Sequence, residues 1–145
     1  MNLQIIRTRH PPVTFIEQLA LIHTEEGFPA TSSEIRRRIE HLPRTDRLLF
    51  ALDGDTLLGY AHIRLTGDLL NDSTSELVSI FVRQNFQGRN VGRQLVNAAE
   101  TWARESGSTR LLLRLDATLS NTQPFFMSLG FEHSATRLEF ICKLD

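Results

Sequence analysis

A mixed α/β (α+β) domain, with a mostly antiparallel sheet of about six to seven strands flanked by about four helices, is predicted by three observations. Two apolar runs, 47–52 and 56–65, are joined by Asp53-Gly54-Asp55, a hairpin with the Asp-Gly turn signal. The run Glu76-Leu77-Val78-Ser79-Ile80-Phe81-Val82 passes through a glycine-containing turn into an amphipathic helix. A further apolar run, 109–115, follows that helix, so it is expected to pair parallel to the 76–82 strand across a crossover.

In chain order, Leu3 to Arg7 reads as a first strand, and His10-Pro11-Pro12 ends it because proline has no N–H for a ladder. A helix is expected from Val13 or Thr14 to about Glu25, with Phe15, Leu19 and Ile22 along one face and Gly27 as its stop. Thr31-Ser32-Ser33-Glu34 supplies caps for a second helix, 34–41, which buries Ile35, Ile39 and Leu42. Arg36, Arg37 and Arg38 lie mostly on its solvated face. The hairpin strands follow, and the polar loop 66–74 leads to the Glu76 strand, completing three antiparallel strands. From Val91 the apolar positions recur at Leu95, Ala98 and Trp102, and Gly107 stops that helix. Ser120 or Asn121 would cap a short helix to Leu129, with Pro124 in its first turn and Gly130 at its end. Segments 131–134 and 136–144 are expected to close the sheet as strands.

The 145 residues suit one domain, and 41% apolar with 23% charged residues is ordinary globular composition. A net charge of −1 argues against nucleic acid or an anionic membrane held by bulk electrostatics. The single cysteine, Cys142, excludes an internal disulfide framework and a cysteine-cluster metal site. No leader, long apolar run or lipidation motif is seen, so a soluble cytoplasmic protein is expected. A homodimer is left open, the carboxy-terminal strands offering an edge for pairing.

Chemistry concentrates at Gln87-Gly88-Arg89-Asn90-Val91-Gly92, where a turn meets a helix start whose first N–H groups are unpaired and sit at the positive end of the helix dipole, a phosphate-holding arrangement. Gly92 is followed by Arg93-Gln94, which rules out a Walker loop, and only two glycines four apart rule out the dinucleotide fingerprint. The stretch resembles the acetyl-CoA loop of the GNAT N-acetyltransferases, Arg/Gln-x-x-Gly-x-Gly/Ala after a central strand, read here as Gln87-x-x-Asn90-x-Gly92. Asn90 replaces a glycine, but asparagine enters the left-handed backbone region at little cost. The run Pro124-Phe125-Phe126-Met127-Ser128-Leu129-Gly130-Phe131 resembles the closing helix and Leu-Gly-Phe exit of that family, and the resemblance extends over most of the chain.

The resemblance implies a sheet splayed between the fourth and fifth strands, acetyl-CoA in the cleft as co-substrate, and direct transfer of the acetyl group to a primary amine without a metal. It places the cofactor against Ile80, Phe81 and Val82, the loop residues Gln87, Gly88, Arg89, Asn90, Val91, Gly92 and Arg93, then Asn121 and Phe126. An alkylammonium with a pKa of about 10.4 is neutral in about one molecule in two thousand at pH 7, so a base is required. Glu76 falls where one branch of the family carries its base; the competing reading is a plain strand carboxylate. His62, on the neighbouring strand, is a second base candidate or a packed, hydrogen-bonded histidine.

The family usually protonates the departing sulfur with a tyrosine where this chain has Phe126, which has no proton to give. A thiol of roughly cysteine-like pKa, about 8.5, leaves readily, and water or Ser120 is a candidate donor. The family's acceptor walls correspond to residues 25–29, including Glu25 and Phe28, and to 68–72; their acidity suits a cationic amine such as a polyamine, an aminoglycoside or a lysine side chain. Tyr60 is assigned to packing or to that cleft. The rival readings are a non-catalytic acetyl-CoA-binding sensor and an interaction module that keeps only the fold.

Overall fold

The computed structural model describes residues 2–71, 73–116 and 122–145. Two compact units are present, Met1–Arg114 and Leu115–Asp145. The first contains β1 (Leu3–Thr8), α1 (Val13–Glu25), α2 (Ser32–Glu40), β2 (Arg47–Asp53), β3 (Thr56–Thr66), β4 (Thr74–Val82), α3 (Val91–Glu105) and β5 (Leu111–Leu113). The second contains α4 (Gln123–Ser128).

The sheet order is β1-β2-β3-β4-β5, antiparallel from β1 to β4 and parallel between β4 and β5. The Asp53-Gly54-Asp55 turn sets the β2–β3 register, with Asp53 opposite Thr56. Alternation then divides the sheet between two layers. Leu48, Phe50, Leu52, Leu57 and Tyr60 pack with Ile16, Leu19 and Ile22 of α1 and Ile35 of α2 in one buried cluster. α3 buries Val91, Leu95, Val96, Ala99, Trp102 and Ala103. The sheet residues of opposite parity, Leu49, Ala51, Ala61 and Ile63, are also buried and lie outside the α1–α2 cluster.

α2 begins in a full capping box: the Thr31 hydroxyl accepts from the Glu34 N–H, and the Glu34 carboxylate accepts from the Thr31 N–H. This starts the helix two residues earlier than the sequence pattern suggested.

β4 carries the feature that positions the site. His62 lies opposite Ser79, but Ile63 lies opposite Leu77, so Val78 is the extra residue of a bulge. Simple alternation would group Glu76 with Val78 and Ile80. The bulge reverses that parity and turns Glu76 toward the face that carries Ser79 and Phe81. Pairing with β5 covers only Ser75, Glu76 and Leu77, opposite Leu111, Leu112 and Leu113. Among the described residues no strand pairs with the other edge of β4 from Val78 to Val82, so β4 and β5 part at the bulge, the expected splay.

The expected carboxy-terminal strands are not formed: no strand occurs among residues 131–145, and the described sheet has five strands rather than six to seven. Leu138, Phe140, Ile141 and Leu144 are exposed. An alternating pattern makes a strand only when a neighbouring ladder accepts its hydrogen bonds, and these residues have none. Cys142 is exposed as well. No helix among the described residues is long and apolar enough to cross a membrane.

Candidate acetyl-transfer site

The loop after β4 is built to present backbone donors. Gln84–Phe86 form a single 3₁₀ turn, and the Gln87 side-chain amide donates to the Val82 carbonyl at 3.1 Å, pinning the loop to the strand end. Gly88 at φ +77° and Asn90 at φ +71° turn the chain into α3 through left-handed conformations. Asn90 is thus the N-cap of α3 through its backbone, with no side-chain cap bond. The Gln94 N–H donates to the Asn90 carbonyl, while helix geometry leaves the N–H groups of Val91, Gly92 and Arg93 without intrahelical acceptors. Arg89 stacks over Phe86, its guanidinium carbon 5.7 Å from the ring centre, and Arg93 is exposed on the first turn. The sequence-predicted residues 87 to 93 are therefore brought together at one helix start, immediately after the unpaired edge formed by Ile80, Phe81 and Val82.

The sheet face toward α1 and α2 holds the candidate acid–base groups. Tyr60, His62 and Arg64 share this face of β3, and Ser79, Phe81 and Glu76 meet them across the ladder. Asp46, just before β2, is buried with no side-chain exposure and accepts from three nitrogens: His62 Nε2 at 2.7 Å, Arg64 Nη2 at 3.0 Å and Arg64 Nε at 3.1 Å. The Asp46 hydrogen bond is the chief reason Arg64 holds its proton more tightly than usual. Glu76 is buried and paired with Arg114, whose Nη1 lies 3.2 Å from each carboxylate oxygen.

Tyr60 is enclosed. Its hydroxyl is hydrogen-bonded to His23 Nε2 at 2.7 Å and also to Ser79. Burial, the dominant effect, raises the phenol to about 12, with the Ser79 bond opposing. Burial, followed by the charge of Arg38, lowers His23. His23, Tyr60 and Phe81 pack ring against ring with centroids 5.5 to 5.6 Å apart. Phe28 meets Phe81 edge-on at 6.4 Å while staying 64% exposed, so the 25–29 turn presents an aromatic wall.

Glu25 pairs with Arg83 at 2.8 Å, so its charge is already matched. The Asp68 carboxylate accepts from the N–H groups of Leu70 and Asn71, which hold it below the usual carboxylate range; it organises its own loop.

In the second unit, Phe126 is buried within α4 and meets Phe125 and Phe131 edge-on at 5.0 and 5.8 Å. Ser120, Asn121 and Asp72 lie outside the described residues.

Asp46, His23, Arg64, Arg83 and Arg114 were missed in the sequence. For Asp46 a signal existed. Extending the hairpin pairing down from Asp53 and Thr56 brings residue 46 beside residues 63 and 64, where an acid faces an arginine. Arg64 is the arginine of that same pairing, whereas His23, Arg83 and Arg114 depend on helix docking and on the β4 pairings, which leave no local mark.

The model of the acetyltransferase (GNAT) family matches residues 11–131, and the chain belongs to that family. An aminoglycoside N(6')-acetyltransferase type 1 from Stenotrophomonas maltophilia is 37% identical over 104 residues; the match takes in 68% of this chain and 66% of that relative, just short of two thirds of its length. Among solved structures, AAC(6')-Iy in complex with the bisubstrate analogue CoA-S-monomethyl-acetylneamine superposes with a TM-score of 0.84 at 17% identity, covering 99% of this chain and all of the other. The aminoglycoside acetyltransferase meta-AAC0020, from an uncultured soil metagenomic sample and in complex with sisomicin, superposes with a TM-score of 0.81 at 15% identity over 99% and 97% of the two chains. At these identities the structures speak for the fold.

Proposed function

We propose that the chain is a single acetyltransferase domain that moves the acetyl group of acetyl-CoA to a primary amine on a small cationic acceptor, an aminoglycoside-type amine being the first to test. The observation that carries the reading is the 87–93 loop at the start of α3, next to the strand edge of β4 that β5 leaves open. The N–H groups of the first turn of α3, with Arg89 and Arg93 beside them, are suited to a pyrophosphate. The open edge from Val78 to Val82 offers main-chain groups to the amide-bearing arm of the cofactor and, near Ile80 to Val82, an N–H for the oxygen that becomes negative during transfer. The relative from Stenotrophomonas supports the acceptor class.

Base work falls to the sheet face that carries His62 and Glu76, and the aromatic wall of Phe28, Phe81 and Tyr60 borders the acceptor side. Position 126 is a phenylalanine, which has no ionisable proton to donate.

Release of CoA thiol from acetyl-CoA, with mass spectrometry of the amine product, tests the reading on sisomicin, spermidine and a lysine peptide. Acetylation of sisomicin or spermidine is expected. Saturable acetyl-CoA binding with no amine acetylated would favour a cofactor-binding sensor.

A further inference from the structure

We propose that His62 is the base that takes the acceptor's proton and that Asp46 is the residue that positions it, an inference that rests on the acetyl-transfer reading and assigns its proton carrier. Asp46 is fully enclosed, and an ionised carboxylate only accepts hydrogen bonds. The 2.7 Å contact therefore requires the hydrogen on His62 Nε2, which leaves the lone pair of the neutral ring on Nδ1. Among the described residues no protein group is recorded on Nδ1, and the side chain keeps 13% of its surface open. Arg64 donates to the same Oδ2 through Nη2 at 3.0 Å and Nε at 3.1 Å, and its Nε also reaches Oδ1 at 3.2 Å, so the carboxylate is held beside the imidazole.

Position supports the same assignment. His62 lies opposite Ser79, the residue next to the Val78 bulge, at the point where β4 loses β5 and its edge opens. Glu76 lies below that point, still within the β5 ladder, and both its oxygens are engaged by Arg114.

The ammonium first releases one proton to solvent, and from the neutral amine onward the proton bookkeeping closes on His62. The amine lone pair forms the C–N bond to the thioester carbon, and the proton on the nitrogen passes to Nδ1. The C–S bond then breaks with its electron pair on sulfur, and the imidazolium returns the proton to give the thiol. One group takes and gives the same proton, so a phenylalanine at position 126 is no obstacle.

Two readouts test this. In protein labelled with ¹⁵N-histidine, two-bond ¹⁵N–¹H spectra of the neutral ring should show His62 protonated on Nε2, and Asp46→Asn should convert it wholly or partly to the Nδ1–H form. A wild-type ring protonated on Nδ1 overturns the positioning role without reference to activity.

For catalysis, His62→Gln keeps a donor for Asp46 but has no base, and its transfer rate should fall by about 10²- to 10⁴-fold with acetyl-CoA affinity unchanged. His62→Ala should regain part of its rate on adding imidazole, and Glu76→Gln should lose less than His62→Gln. Full activity of His62→Gln, in protein whose wild type acetylates an amine, overturns the base role alone. A wild type that acetylates none of the amines overturns the proposed function and the base role with it.

Discussion

His23 and Tyr60 share one hydrogen bond and carry opposite shifts, and this sets a pH window for stability. The folded imidazole is harder to protonate than the unfolded one, so as pH falls below about 6.5 the unfolded chain takes up more protons and folding weakens. The folded phenol ionises near 12 rather than 10.0, so the unfolded chain releases its proton first and stability declines from about pH 10 upward. Urea midpoints measured against pH should show both declines. Tyr60→Phe should flatten the alkaline limb, and His23→Gln should reduce the acid one. Midpoints of these variants that parallel wild type at both ends would contradict the assignment.

At the same scale, Asn90 was legible in the sequence because the left-handed region admits asparagine, and its φ of +71° bears this out. Asp46 was not read, because its one signal, the register that brings it beside Arg64, emerges only when the hairpin pairing is extended past the end of the apolar run. Gly59 belongs with the unread residues: an added Cβ would lie 2.5 Å from the Phe81 carbonyl oxygen, a close approach set by strand pairing.

Among the elements, those with strong local chemistry were read nearly to their ends. α1 begins at Val13 and ends at Glu25, and the hairpin strands run 47–53 and 56–66, each within one residue of the pattern. α2 begins where the Thr31 cap places it. Thr31→Ala should remove the hydroxyl half of the box, leaving the backbone N–H of residue 31 on the Glu34 carboxylate, and lower stability by about 1 kcal/mol, seen as a shift in urea midpoint at unchanged slope. No shift would mean that packing of Ile35 alone sustains the helix start.

The carboxy-terminal strands were misread because alternation reports what a segment is able to do, whereas a strand needs a neighbouring ladder. The bulge in β4 was invisible for a related reason. It is a property of the pairing between β3 and β4, and the Glu76 to Val82 run on its own, with Ser79 its one interior polar residue, carries no mark of it.

For the whole molecule, the order of elements, the antiparallel run and the parallel crossover were legible because each depends on short-range signals and on chain connection rules. The loop at Gln87 to Gly92 was legible by its resemblance, and the structure adds the reason it suits a cofactor: two left-handed residues, a helix start and an open strand edge occur in succession. The ion pairs of Glu76 with Arg114 and of Glu25 with Arg83 were not legible, since the partners are distant in sequence.

Thermal unfolding of wild type and Gly92→Val with saturating acetyl-CoA tests whether the cofactor binds at the 87–93 loop. Ligand at one hundred times its dissociation constant adds about 2.7 kcal/mol, which should raise the wild-type midpoint by roughly 5 to 10 °C. In Gly92→Val the added side chain crowds the phosphate-facing backbone, and the rise should vanish while the unliganded midpoint stays close to wild type. An equal rise in both proteins, or none in folded wild type, would contradict the account.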